Sequence, residues 1–427
     1  MTSPAHPKSM NREAKRVAVA SAIGTTIEWY DFFIYGTAAA LVFAPQFFPQ
    51  VSELTGTLAS FATFAIGFIA RPLGGIVMGH FGDRIGRKSM LVWSLMLMGI
   101  GTVVIGLLPT YAQIGVWAPI LLVLMRCVQG FGLGGEWGGA VLMSVEHAPE
   151  KRRGFFGGFV AFGLPTGIIL SNLVFLIVTS VTTRSEFTDW AWRIPFLFGA
   201  LLVVVGLFIR LRVAESPIFE RLEQHRRIPI VDVLRTDLRK VLLAAGSYLG
   251  IGGIGYIVIV YFVSYANRQL GIPTPTVLTM LIFASVAFAI GVVFFARLSD
   301  RIGRRKVMVW GCAAHAAWAL VFFPLADTKS VPLIAIDLIM ILALQSAYIG
   351  PQPAMFAELF STGMRYSGAS LSLTLGTILG GAVTPLVATA LYGATGSSWS
   401  VTAYAFLIAL ITLGCQLALK ETYEKEL

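Results

Sequence analysis

Long apolar stretches recur along this chain of 427 residues and limit its possible folds more than any other feature. Each has about 20 to 28 residues, enough for a helix to cross the hydrocarbon core of a bilayer. Hydrophobic residues make up 56% of the chain and charged residues only 13%, far from the balance of a water-soluble protein. We therefore predict an all-α integral membrane protein with twelve transmembrane helices. Their approximate limits are 17–44, 57–80, 89–109, 117–144, 155–181, 191–213, 239–266, 276–297, 306–325, 332–358, 367–393 and 400–420.

Basic residues concentrate in alternate connections between these stretches. One side holds the N-terminal tail and the loops around residues 84–88, 151–153, 221–239 and 301–305, whereas the other holds little beyond Arg184, Arg268 and Lys329. Since cytoplasmic loops carry the excess of Lys and Arg, we expect a multi-pass protein of the cell inner (plasma) membrane with both termini cytoplasmic. This topology explains the net charge of +10, and no separate basic domain indicates a nucleic-acid partner.

The connection 214–238 is charged, contains two prolines and divides the stretches six and six. It predicts an N-terminal six-helix bundle over 1–213, a cytoplasmic central loop and a C-terminal six-helix bundle over 239–427. An internal repeat supports this division. The segment GHFGDRIGRK at 79–88 recurs as ARLSDRIGRR at 296–305, and the pair Glu146 and Arg153 recurs as Glu358 and Arg365. Repeated halves of six helices are typical of secondary transporters.

Two carboxylates, Glu28 and Asp31, lie one helical turn apart inside the first apolar stretch. A charge at the centre of a membrane helix costs roughly 2.5 to 3.5 kcal/mol on insertion scales, so such acids are read first as part of an ion or substrate path. The partner we assign is Arg126, because the rise of a helix per residue brings it and Asp31 to similar membrane depths. The alternative is that both acids only hold helices together.

Enzyme chemistry lacks support in this sequence. Cys127, Cys312 and Cys415 lie at unrelated spacings, and we find no nucleotide-binding loop, G-x-S-x-G motif or metal-spaced histidine cluster. We expect no cofactor, no metal and no enzyme activity. An enzyme using Glu28 and Asp31 as an acid pair would lack a nucleophile, and a transport-inactive membrane sensor would lack a large cytoplasmic output domain.

The segment 79–88 and its copy resemble the signature loop of the major facilitator superfamily. Within that superfamily the chain is similar to the metabolite:proton symporters, most of all to the shikimate-transporter type, and less closely to the proline/betaine and α-ketoglutarate permeases. The resemblance is carried by EWYDF at 28–32, ARPLGG at 70–75, RCVQGFGLGGEWGG at 126–139, WAWRIPF at 190–196 and RYSG at 365–368. One departure is Ala296, which replaces the leading glycine of the second loop.

The resemblance implies a transporter with the major facilitator fold. Such a protein would import a small organic acid, either shikimate-like or a dicarboxylate, together with a proton. The alternative substrate is a zwitterionic osmolyte such as proline or betaine. Expected partners are the small-molecule substrate, the proton and the lipid bilayer, with the chain a monomer.

The resemblance assigns proton coupling to Asp31 and Arg126. Glu28 lies three residues before Asp31 on much the same helix face, where it is a candidate either to relay the proton or to orient Asp31. Burial favours the neutral form of a carboxylic acid and a nearby arginine favours the charged form, so a substrate carboxylate bound to Arg126 would favour protonation of Asp31. Polar and aromatic residues at mid-depth are candidates for substrate contacts, although membrane aromatics more often serve packing. These candidates are Arg126, Tyr30, Gln129, Asn172, Tyr256, Tyr261, Gln345, Tyr348, Gln352 and Thr377.

The repeated loops imply gates, in which acids face helix N-termini and arginines bridge to neighbouring helices. The gating candidates are Asp83, Arg84, Arg87, Asp300, Arg301 and Arg304, with Glu146 and Glu358 as partners and Arg71 paired with Glu136. Asp337, near the repeat position of Arg126, is a possible counter-charge, and His315 is interpreted as a hydrogen bond between helices. Helix breaks are expected at Pro165, Pro351, Pro353 and Pro385.

Overall fold

The computed structural model describes residues 7–77, 87–134, 136–146, 148–212, 229–361 and 364–423, in which the regular structure is helical. Twelve principal helices follow one another along the chain. They are α1 Pro7–Leu41, α2 Glu53–Val77, α3 Arg87–Leu107, α4 Trp117–Leu133 with Glu136–Glu146, α5 Arg153–Val181, α6 Ile194–Arg212, α7 Leu238–Arg268, α8 Thr274–Ile302, α9 Arg304–Ala326, α10 Val331–Ile349 with Gln352–Leu359, α11 Arg365–Thr395 and α12 Ser398–Ala418. Short helices Phe43–Phe47, Tyr111–Ile114, Arg184–Asp189 and Pro229–Thr236 lie in the connections.

Nine helices of the described ranges are long and apolar enough to cross a membrane. Two shorter apolar helices, Val92–Leu107 and Trp117–Leu133, and the apolar part of α1 complete the predicted set of twelve. Predicted and observed bounds differ by a few residues at most ends. The largest difference is at α1, which begins at Pro7 instead of residue 17, because the helix continues into the polar tail where hydropathy gives no signal.

Proline affects these helices unevenly. α5 continues as a helix through Pro165, so the predicted break there is wrong. A proline inside a membrane helix is tolerated when neighbouring groups satisfy the freed carbonyl. α10 does break, between Ile349 and Gln352 at the Gly350–Pro351 pair. In α11, Pro385 stands in the first turn after an irregular segment, where its missing N–H costs little.

Wider π-helical turns interrupt α7 at Ile257–Tyr261 and α11 at Thr377–Ala382. Both helices belong to the second bundle and both face the first. α7 packs against α1, where a Cβ on Gly36 would lie 2.9 Å from Val260, and the π turns of α11 pack against α2. π turns are rare and occur frequently at functional sites. The contact between the bundles is therefore lined by irregular backbone on one side.

Glycines bring α2 and α4 unusually close together. A Cβ on Gly130 would lie 2.0 Å from the Gly67 carbonyl oxygen, and one on Gly74 would lie 1.9 Å from that of Phe131. Small residues allow such approach of membrane helices, which associate through packing and not through a hydrophobic driving force. The contact fixes Arg71 of α2 and Arg126 of α4 beside each other in the first bundle.

Candidate functional site

Asp31 lies at the centre of a buried hydrogen-bond network in the first bundle. Its Oδ1 accepts a hydrogen bond from Thr102 of α3, and its Oδ2 accepts one of 3.0 Å from Gln129 Nε2 of α4. Gln129 also lies 2.8 Å from the Thr102 hydroxyl. Asp31 is 4% exposed and Gln129 is fully buried, so α1, α3 and α4 are joined by polar groups inside an apolar surrounding.

Arg126 enters this network through Gln129. Its Nη1 donates to Gln129 Oε1 at 3.1 Å, while the amide group of the same glutamine donates to Asp31. The sequence predicts that Asp31 and Arg126 meet, and the structure brings them into one network with Gln129 between them in place of a direct ion pair. The intervening glutamine follows Arg126 by three residues, which places both on one face of α4.

Aromatic rings surround the rest of the Arg126 side chain. Its guanidinium carbon lies 4.2 Å from the ring centre of Tyr35, 4.3 Å from Phe32 and 5.2 Å from Phe64. Cation–π contacts of this kind partly compensate a desolvated charge. Arg126 is fully buried, and its Nε and Nη2 have no hydrogen-bond partner among the described residues. Two strong donors thus remain for a ligand.

Arg71 of α2 has the same kind of surroundings. Its guanidinium carbon lies 4.3 Å from the centre of Phe32 and 4.8 Å from that of Phe68. It is 7% exposed, and its Nε and Nη2 also lack hydrogen-bond partners in the described part of the chain. The predicted ion pair with Glu136 remains a prediction, because that side chain lies outside the described residues. What the structure shows is Arg71 on aromatic rings in the centre of the bundle.

The second bundle faces these arginines with tyrosines of α7. The ring of Tyr256 lies 5.5 Å from Phe64, 5.6 Å from Phe68 and 5.9 Å from Phe33. Its hydroxyl has no hydrogen-bond partner among the described groups and interacts electrostatically with Arg71 and Arg126. Tyr256 is therefore a predicted substrate residue of the second bundle that packs against the first bundle and interacts with both arginines.

Glu28, Tyr248 and Thr377 extend this region. Glu28 is 3% exposed and interacts electrostatically with Tyr248 and Tyr256, so it faces the second bundle. Thr377 begins the π turns of α11 and lies next to the Tyr248 hydroxyl. Neither Tyr248 nor Thr102 is singled out by the sequence. Their residue types give only a weak indication of a functional role, because tyrosine and threonine are common in membrane helices.

Three predicted substrate tyrosines are engaged elsewhere. Tyr30 donates to the Pro195 carbonyl of α6 at 2.7 Å, inside the first bundle. Tyr348 forms a 2.7 Å hydrogen bond with His315, as expected for a contact between α9 and α10. Tyr261 stacks on Tyr265 with ring centres 5.9 Å apart. Their positions favour structural roles over substrate contact.

The remaining polar candidates are buried but dispersed. Gln345 donates to the Ile251 carbonyl of α7 at 3.1 Å. Asn172 Nδ2 and Gln352 Nε2 have no hydrogen-bond partner in the described ranges. Asp337, the possible counter-charge, accepts from Trp318 Nε1 at 2.8 Å and joins α9 to α10. No contact in the described ranges joins Asp337 to Arg126.

One end of the molecule carries the described loop copy at 300–305, and we name it the basic end. Asp300 accepts hydrogen bonds of 2.8 Å from the backbone N–H groups of Gly154 and Phe155, where α5 begins. Arg304 pairs with Asp300 at 2.6 Å and with Glu358 at 3.3 Å. A carboxylate at a helix N-terminus is stabilised by the unpaired N–H groups there. The second bundle is thus attached to the first by Asp300.

Two further features complete the basic end. Arg365 of α11 pairs with Glu146 of α4 at 3.5 Å, again between bundles. Ala296, despite replacing glycine, is fully buried against α5, because Gly158 leaves room for its methyl group.

Among the other gating candidates, Arg301 is exposed. The gating candidates Asp83 and Arg84, and the side chain of Arg87, lie outside the described residues.

The opposite end holds a smaller contact between the bundles that the sequence does not indicate. Arg268, the last residue of α7, lies 3.1 Å from Glu53 and donates to the Thr57 hydroxyl at 2.5 Å, both in α2. Asp327 accepts hydrogen bonds from Tyr265 and Ser398, which joins α7, α9 and α12 beside it. Both ends thus hold contacts between the two bundles.

The family model described as Major Facilitator Superfamily matches residues 21–372 and 256–426. This chain belongs to the major facilitator superfamily. It is 44% identical over 409 residues to the inner membrane metabolite transport protein YhjE of Escherichia coli strain K12, covering 93% of each chain. It is 39% identical over 424 residues to the shikimate transporter of the same strain, covering 96% of this chain and 95% of that one.

A solved structure confirms the fold. The xylose transporter XylE from E. coli, in a partially occluded inward-open conformation, covers 97% of this chain and 100% of its own with a TM-score of 0.75 at 18% identity. The prediction of an all-α membrane protein with twelve helices in two bundles is confirmed. The chain is a multi-pass membrane transporter and not an enzyme.

Proposed function

We propose that this transporter is a symporter that carries a small organic acid together with a proton. The observation that supports it most is the buried network in which Asp31 and Arg126 share Gln129, while Nε and Nη2 of Arg126 are without partners. A carboxylate is the ligand whose two oxygens suit this pair of donors. One relative is a shikimate transporter, so shikimate is the first substrate to test.

Coupling follows from the shared glutamine. Without substrate, the positive charge of Arg126 and the donors Thr102 and Gln129 stabilise the Asp31 carboxylate. A substrate carboxylate on Arg126 compensates that charge, and Asp31 then binds a proton more readily. Because linkage is reciprocal, protonated Asp31 also strengthens substrate binding at Arg126. Glu28, three residues earlier on much the same face of α1, is positioned to pass the proton on.

We further propose that the bundles over 1–213 and 239–427 rock about this network, with the basic end toward the cytoplasm and both termini there. The Asp300 contacts with α5 and the Arg365–Glu146 pair would separate when the basic end opens. The Arg268 contacts with α2 would separate when the opposite end opens. The π turns of α7 and α11 would supply the bending between these states.

The competing proposal, uptake of a zwitterionic osmolyte, has less support from the same region. A quaternary or secondary ammonium group is typically held on open aromatic faces. Here Phe32, Tyr35, Phe64 and Phe68 are already in contact with the guanidinium groups of Arg71 and Arg126. The rings thus serve the two arginines, and the free donors favour an anion.

The test is uptake by purified protein in lipid vesicles with an imposed proton gradient, acidic outside. We expect shikimate or another organic acid to accumulate, and an uncoupler to abolish accumulation. Asp31→Asn should retain exchange of substrate but lose uphill accumulation. The matched control is Asp337→Asn, another buried acid, which contacts Trp318 and should still accumulate substrate. Accumulation that survives the uncoupler, or uphill transport by Asp31→Asn, would refute the symport proposal.

A further inference from the structure

The ring of Phe32 contacts the guanidinium groups of two arginines, Arg71 and Arg126. The guanidinium carbons of Arg71 and Arg126 each lie 4.3 Å from the centre of this one ring, so they are separated by at most twice that distance. They come from different helices, α2 and α4, which the glycine contact at Gly67 and Gly130 holds together. The two positive charges are fixed as a pair by backbone packing.

The same two nitrogens are unpartnered in both arginines. Nε and Nη2 of Arg71 and of Arg126 have no hydrogen-bond partner among the described residues, although Arg126 is fully buried and Arg71 is 7% exposed. The N–H groups of Nε and Nη2 lie in the guanidinium plane and point in parallel from one edge of it, and a carboxylate binds such a fork with both oxygens. Both arginines thus carry a donor fork of the kind that binds a carboxylate, and neither fork has a partner among the described residues.

Two buried cations with open donors are costly unless a ligand completes them. Leaving a buried donor unsatisfied is unfavourable, and more so when the group is charged. Like charges at this separation also repel each other. Aromatic faces compensate part of this cost. Tyr256 adds an unpartnered hydroxyl from the second bundle, within electrostatic reach of both arginines.

We propose that Arg71 is a second substrate-binding residue, and that Arg71 and Arg126 together select a dicarboxylate by binding one carboxylate each on either side of Phe32. This inference rests on the proposed organic-acid transport and adds a determinant of specificity. It replaces the expectation that Arg71 serves as a gate. Tyr256 contacts the bound substrate from the second bundle, so the substrate touches both halves of the transporter.

The experiment compares matched acids on purified protein in lipid nanodiscs by calorimetric titration. The dicarboxylates succinate, glutarate and adipate are paired with the monocarboxylates butyrate, pentanoate and hexanoate of equal carbon number. We expect wild-type protein to bind at least one dicarboxylate ten-fold or more tightly than its partner. Arg71→Gln should lose that preference and keep its affinity for the monocarboxylate within about three-fold, since one fork remains. Arg126→Gln should weaken both.

Arg71→Lys keeps the charge and loses the fork, so its preference for the dicarboxylate should be intermediate. This variant replaces Arg71→Gln in the test if Arg71→Gln does not fold. Retained preference in a folded Arg71→Gln or Arg71→Lys protein, or an equal loss for both acids of a pair, would overturn the inference. Wild-type protein that binds the paired acids equally would overturn it too and leave the organic-acid function intact. Binding of none of the six acids, nor of shikimate, would overturn both proposals.

Discussion

The two bundles carry a sequence repeat, yet they face the contact between them with different chemistry. The first presents charged groups at its centre, Asp31 and Arg126 with Arg71 beside them. The second presents the neutral tyrosines Tyr248 and Tyr256 on α7, and π turns in α7 and α11. The difference indicates that one half holds the ionic chemistry and the other supplies a deformable, uncharged face.

The charges of the second bundle have a different place. Asp300, Arg304 and Glu358 gather at the basic end, where Asp300 reaches across to α5. Buried ion pairs are weak sources of net stability but costly to break, because the remaining partner is left unpaired. Such a contact suits a gate, which must hold one state and release it in another.

The largest loss of transport is expected when the glutamine of the first bundle is removed. Gln129→Leu removes the hydrogen bonds to Asp31 and from Arg126, so uphill transport of an organic acid into vesicles should fall by more than about 100-fold. Gln345→Leu is the matched change in the second bundle, where the glutamine binds one backbone carbonyl. It should reduce transport by less than about ten-fold. Equal losses in the two variants would contradict the division between bundles.

A smaller effect is expected at the basic end. Asp300→Ala leaves Arg304 without one carboxylate and the start of α5 without its acceptor, which should lower stability by roughly 3 to 5 kcal/mol. Thermal unfolding in detergent measures this loss, and transport should fall by about ten-fold. The control is Arg301→Ala, because this neighbouring side chain is exposed. Similar melting temperatures for the two variants would show that the Asp300 contacts do not hold the bundles together.

The smallest effect is expected at the opposite end. Arg268→Gln removes the pair with Glu53, whose side chain is 77% exposed, and an exposed ion pair contributes only about 0 to 1 kcal/mol. Transport should change by no more than about three-fold, and the change should shrink as salt concentration rises. A loss as large as that of Asp300→Ala would instead make this end the stronger gate.

The length of the apolar stretches suffices to predict the twelve helices, because the bilayer sets both their length and their composition. Asp31, Arg126 and Gln129 can be selected from sequence, since polar residues in apolar stretches are rare and costly. The π turns and the pairing of Arg71 with Arg126 around Phe32 cannot. The pairing of the two arginines depends on how α2 and α4 approach each other, which follows from the glycines of both helices together and not from either helix alone.

Substrate at Arg126 and a proton at Asp31 are proposed to bind together through Gln129. This coupling is tested most directly by following the pH of a weakly buffered solution of purified protein while substrate is added. We expect net proton uptake on binding by wild-type protein and none by Asp31→Asn at saturating substrate. Substrate binding without proton uptake in wild-type protein, or undiminished uptake in Asp31→Asn, would contradict it.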